Sequence, residues 1–191
     1  FSAVVVIETS SSAAGRRSGP PPGQLPLPAN PPPEEPPGDP AGVHASPKII
    51  FASHPHTPAF TYDPRGSYAL SAGVGAILRG DPYLAAILNS SLGRFLLRNL
   101  CPPTDRGYHL SRERLGRFPV VIPDFDRPAD RNRHDRVVAL VTRMVSLHDY
   151  LQKARTDQER RLVRQEIDAT DVKIDALVYQ LYGLTTEEIM V

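Results

Sequence analysis

The densest concentration of chemistry-bearing side chains is RGYHLSRERLGRF, residues 106–118. Arg106, Arg112, Arg114 and Arg117 alternate there with Tyr108, His109 and Phe118. An arginine fork can clamp a phosphate or donate two bonds to one guanine, while tyrosine and histidine add stacking and hydrogen bonds. The pattern suits a nucleic-acid surface, and it also fits a solvated basic loop. The neighbourhood is locally positive: six arginines fall between positions 94 and 117, against Asp105 and Glu113. From Arg131 onward ten basic residues meet ten acidic ones, and the net charge is only +1. Global charge therefore selects no partner.

The remaining candidates carry less. Asn30 is followed by Pro31, Pro32 and Pro33. DNA amino-methyltransferases need an aromatic residue after Asn-Pro-Pro to stack on a flipped base. Pro33 offers no such ring, and no apolar strand leads into the motif, so proline-rich drift is the better account. Gly73-Val74-Gly75 is too short for a phosphate loop. His44, His54 and His56 lack a Cys or carboxylate at a spacing that would complete a metal shell. The one cysteine, Cys101, forms no intrachain disulfide, and nothing near it in sequence clearly lowers its pKa. Asp168, Asp171 and Asp175 share a helical face and read as a solvated surface beside Arg164 and Lys173.

Positioning these groups falls to a foldable region of modest size. Eleven of the twenty-one prolines lie between Pro20 and Pro40. Such a tract has few amide donors and little to bury, so residues 1–45 are expected to be a disordered or extended leader. Residues 46–130 are expected to form an α+β unit with a small mixed sheet and short helices. Residues 131–191 are expected to form a long antiparallel helical hairpin. Strands are expected in PKIIFASH, AFTY, SYAL, SAGVGAIL and FPVVIP, with a turn at Asp63-Pro64-Arg65-Gly66. Asp81 and Pro82 open one helix through DPYLAAILNSSLGRFLLRNL. Ser111 caps a short helix. The hairpin runs from about Asn132 to Ala154, then from a capping box at Thr156 and Glu159 to a glycine stop at Gly183. Its apolar stripes are Val137, Leu140, Val141, Met144, Leu147, His148 and Leu151, facing Leu162, Ile167, Ile174, Leu177, Val178 and Leu181. No apolar run approaches the length that spans a bilayer, so a cytoplasmic chain without a membrane partner is expected. Beginning at Phe1, the chain reads as a fragment.

Four stretches in this order, SPKIIFASHPHTPAFTYDPRGSYAL, DPYLAAILNSSLGRFLLRN, RGYHLSRERLGRFPVVIP and IDATDVKIDALVYQLYGLTTEEI, resemble the TaqI-like C-terminal specificity domain. That domain is the target-recognition part of adenine-specific DNA methyltransferases and type IIG restriction–modification enzymes. The resemblance spans about residues 47–191. LAAILNSSLGRFLL and the closing VYQLYGLT are its more specific parts. It implies recognition of double-stranded DNA beside an N-terminal methyltransferase domain. That domain would bind S-adenosylmethionine and methylate N6 of a flipped adenine. Its place is taken here by the proline-rich leader, so the resemblance transfers binding and not catalysis, and no cofactor or metal is expected in this fragment. It implies DNA-binding roles for Lys48, Arg106, Tyr108, His109, Arg112 and Arg114. The arginines would hold phosphate, and Tyr108 and His109 would approach bases. For Tyr108 a packed strand position is the competing expectation. A non-enzymatic protein-interaction module using the hairpin is the alternative function.

Overall fold

The computed structural model describes Val5–Glu8 and residues 46–190, apart from Ala69, Ser71, Arg79 and Arg106. The proline-rich tract, Asn30 and His44 lie outside the described residues. Four strands, β1 (Val5–Glu8), β2 (Lys48–Ala52), β3 (Phe60–Asp63) and β4 (Val74–Leu78), form one sheet in the order β1-β4-β2-β3. Every ladder is antiparallel, not mixed as the sequence led us to expect. Val5–Glu8, assigned to the leader above, is paired with β4.

Period-two alternation builds the core face of the sheet. Ile49 lies between Tyr62 and Ile77, and Phe51 lies between Phe60 and Gly75. The two phenyl rings sit 5.5 Å apart. A methyl group on Gly75 would run into the Phe51 ring, so Gly73-Val74-Gly75 serves strand packing and opens no nucleotide loop. Of SYAL, the described residues Ser67, Tyr68 and Leu70 lie in no strand. The amides of Ser67 and Tyr68, which a ladder would use, donate instead to the carboxylate of Asp63 at 3.0 Å each.

The expected single helix after Asp81 is two: α1 (Pro82–Asn89) and α2 (Ser91–Leu100). Asp81 caps the first, as expected, accepting from Leu84 N–H at 2.8 Å. The chain turns at Ser90, whose ψ is 162°. Apolar spacing continues through this break, which is why periodicity hides it. Ser90 is buried and acts in both directions, donating to the Ile87 carbonyl at 2.7 Å and accepting from Gly93 N–H at 2.9 Å. A Cβ on Gly93 would strike the Ile87 carbonyl oxygen, so the two helices can meet this closely only at glycine. Asn89, one residue earlier, accepts from Phe60 N–H at 3.0 Å and donates to Phe60 C=O at 2.7 Å. Its carboxamide stands in for a neighbouring strand on the edge of β3.

The last third is α4 (Pro128–Lys153) and α5 (Asp157–Tyr182), followed by α6 (Thr186–Ile189). Each long helix has 26 residues, about 39 Å at 1.5 Å per residue. The capping box at Thr156 and Glu159 is present, and Gly183 ends α5 with φ 66°. On α4, Val137, Val141 and Leu147 are buried, whereas His148 is exposed. On α5, Ile174, Leu177 and Val178 are buried, whereas Leu162 is exposed. All of these buried residues except Leu147 share one apolar cluster with Ile49, Phe51, Ile87, Leu97 and Leu110, so the core is continuous across residue 130. Asp175 is no solvated bystander: its carboxylate accepts from Ser91 N–H at 2.8 Å and Ser91 Oγ–H at 2.6 Å, tying α5 to the start of α2. FPVVIP joins no ladder. Its carbonyls are taken by tyrosines: Tyr83 donates to Val121 at 2.9 Å and Tyr182 to Pro119 at 2.6 Å. Burial pushes the Tyr83 phenol up to about 12, with smaller contributions from Tyr182, Asp81 and Asp130, opposed by Arg133. It therefore remains a donor at any ordinary pH.

Candidate nucleic-acid interface

The arm that carries the candidate residues begins where α2 stops. Cys101 caps that helix through its amide, 2.7 Å from the Leu97 carbonyl. Its thiol is buried, and burial pushes its pKa up against the opposing effect of Arg114, which removes it as a nucleophile. Thr104 and Gly107 then exchange both backbone hydrogen bonds at 2.9 Å, forming an isolated antiparallel bridge. Gly107 has φ 95°, and a Cβ there would lie 2.5 Å from the Pro55 carbonyl oxygen. Both constraints require glycine.

Beyond Gly107 the arm is held by the main chain. Tyr108 N–H donates to Pro55 C=O and Leu110 N–H to Ser53 C=O, both at 2.9 Å. Ser53 N–H in turn reaches Gly73 C=O at 2.9 Å. The arm thus continues the sheet past the end of β2 without forming a full ladder. Alternation sorts its side chains: Tyr108 and Leu110 are buried, and His109 between them faces solvent. Ser111 then caps the single turn α3 (Arg112–Leu115), accepting from Arg114 N–H at 3.4 Å. Leu115 and Phe118 anchor this turn in the core.

The structure separates the six expected contact residues. His109 and Arg112 are exposed and lie three residues apart on the arm. Arg114 is half-buried and close enough to Cys101 to affect its thiol. Tyr108 is packed in the core, which fits the competing expectation and withdraws its ring from any base. Arg106 lies outside the described residues. Lys48 opens β2 as expected, but its side chain is fully buried and its Nζ lies 3.0 Å from Asp63 Oδ2 on the paired strand. An ammonium enclosed with a carboxylate presents no charge to a phosphate, so Lys48 is a scaffold residue.

One residue joins the surface that the sequence did not assign to it. His54, expected to be structural or solvated, stacks on His109 with ring centroids 4.8 Å apart and planes 8° from parallel. Only the pairing of 53–55 with 108–110 brings the rings together, and nothing in either local sequence signals that pairing. Arg117 is exposed and bonded to Glu113 at 2.8 Å, also on the surface. An exposed i,i+4 pair of this kind is weak and exchangeable. The exposed imidazole and arginine side chains of this region are therefore His54, His109, Arg112 and Arg117, on a backbone fixed from behind. Among the described residues no group of three or more His, Cys, Asp or Glu side chains is placed to hold a metal. No helix among them is long and apolar enough to cross a membrane. In comparisons with known proteins, the chain matches no family model and no curated protein sequence.

Proposed function

We propose that this chain is a double-stranded-DNA target-recognition domain, the C-terminal part of an adenine-N6 DNA methyltransferase or type IIG restriction–modification enzyme. The observation that carries this reading is the arm at 107–118. It offers His109, Arg112 and Arg117 to solvent, with His54 stacked on His109, while Tyr108, Leu110, Leu115 and Phe118 lock its rear into the core. Exposed cations on a fixed backbone supply phosphate contacts, and planar polar rings between them supply base contacts. The order of motifs described above supports the same reading. S-adenosylmethionine and the methyl-transfer chemistry would belong to an N-terminal methyltransferase domain, and the described residues carry no glycine-rich loop for that cofactor.

Duplex binding measured at rising salt tests the proposal. Each phosphate contact contributes about 0.9 to the slope of log affinity against log salt. Arg112→Ala with Arg117→Ala is therefore expected to lower that slope by about 2 while leaving the fold intact. Absent or salt-independent binding by the wild-type chain, with and without a methyltransferase domain supplied in trans, would overturn it.

A second reading has one specific support. At the loop end of the hairpin Tyr150 and Leu162 are 66% and 56% exposed. They give a protein partner an apolar hold there. Loss of partner pairing on Tyr150→Ser with Leu162→Ser, alongside DNA binding that the arginine changes leave untouched, would favour that module.

A further inference from the structure

The stacked imidazoles have a geometry that an isolated surface histidine lacks. Their planes are 8° from parallel and their centroids 4.8 Å apart, so the interplanar spacing is at most that distance. Successive base pairs are also parallel plates, about 3.4 Å apart along the duplex. Two parallel rings at such a spacing can each present an N–H edge to one of two adjacent base pairs without either ring turning. The pose is built into the backbone. The bonds Tyr108 N–H to Pro55 C=O and Leu110 N–H to Ser53 C=O flank the pair on both sides. Gly107 is pressed against Pro55 so closely that no side chain fits between the two segments. Both rings are solvent-exposed, and Arg112, also exposed, opens α3 three residues after His109.

We infer that His54 and His109 act together as a two-step reader in the major groove, each ring donating to the purine acceptors of one of two neighbouring base pairs. Guanine suits this best, because its N7 and O6 are both acceptors on the groove edge. The inference rests on the proposed DNA-recognition role and extends it: the chain's preference includes two adjacent guanine-rich positions, and His54 shares in determining it. Arg112 and Arg117 position the duplex and carry no part of that preference.

The experiment is selection of preferred duplexes from a randomised pool, followed by affinity measurement on single-base variants. Wild-type chain, His54→Ala, His109→Ala and the conservative His109→Gln are compared, and circular dichroism checks that each folds. The expected result is a contiguous guanine-bearing step in the wild-type preference. Each alanine variant flattens one of its two positions by about fivefold, the worth of a single hydrogen bond. Gln at 109 keeps a donor and retains part of the preference. Replacing guanine with 7-deazaguanine at one of those positions removes the N7 acceptor and should lower wild-type affinity by a similar factor, with no further loss in the alanine variant of the histidine that reads that position. DNA binding whose base preference is unchanged in both alanine variants would overturn this inference and leave the recognition role standing. Failure of the wild-type chain to bind any duplex would overturn the recognition role, and this inference with it.

Discussion

Lys48→Met separates the scaffold and contact roles of one residue. The ammonium and the Asp63 carboxylate form a cross-strand pair at 3.0 Å, with both side chains at most 2% exposed. Removing one member of such a pair typically costs about 3–5 kcal/mol, because the other is left charged and enclosed. Here Asp63 keeps amide donors from Ser67 and Tyr68 at 3.0 Å and a longer one from Arg65 at 3.3 Å. Those bonds offset part of the loss, which places Lys48→Met near the lower end, about 3 kcal/mol. For a chain of this size that is a fall in Tm of about 10 °C. Asp63→Ala should cost more, about 4–5 kcal/mol, since it strips the 65–68 turn of its acceptor as well as the ion pair. Denaturant unfolding gives both values, and duplex binding below the transition gives the control. Lys48→Met should leave the salt slope of DNA binding unchanged. A variant within about 1 kcal/mol of wild type that has lost DNA affinity would refute the burial argument.

Three further outcomes are expected. Asn89→Ala removes the carboxamide that closes the edge of β3 and leaves both Phe60 backbone groups without it, at a cost of about 2 kcal/mol by denaturant titration. Gly107→Ala forces a side chain into a left-handed backbone and against Pro55. It should loosen the arm, lowering DNA affinity more than tenfold while costing about 1–3 kcal/mol of stability. The Asp63 carboxyl is raised by burial but more strongly lowered by the Tyr68 and Ser67 amides and by Lys48, so its folded pKa lies below the unfolded value. Its contribution is therefore fully present above about pH 4, the unfolded value, and is lost as pH falls through the folded one. The Tm gap between wild type and Lys48→Met should accordingly shrink below about pH 4, and a gap that widens there would contradict the assignment.

The parts of the fold that local chemistry specifies could be read from the sequence. Thr156 with Glu159 and Gly183 mark the ends of α5 because caps act within one helical turn. The apolar run of PKIIFASH marks β2 in the same local way, and AFTY beside the turn at Asp63-Pro64-Arg65-Gly66 marks β3. What escaped depends on partners distant in the chain. Ser90 breaks a continuous apolar period because Gly93 lets α2 fold back onto the end of α1. FPVVIP has strand composition, but Tyr83 and Tyr182 occupy its carbonyls in place of a strand. Lys48 was expected to be a contact through the family resemblance alone, and only the ladder with β3 places Asp63 opposite it. At the candidate site, His109 and Arg112 were legible from composition. His54 was not, since its role depends on a neighbour 55 positions away along the chain.

The arm at 107–111 has one more property. Its attachments to residues 53 and 55 are made wholly by main-chain atoms, and the side chains that secure it, Tyr108 and Leu110, point away from solvent. The outward positions 54, 109 and 112 therefore bear little of the mechanical load. Other side chains placed there would inherit the same pose without repacking what lies beneath. The scaffold works like a socket: its grip on the arm is independent of what the arm displays, so the displayed chemistry can be exchanged one residue at a time.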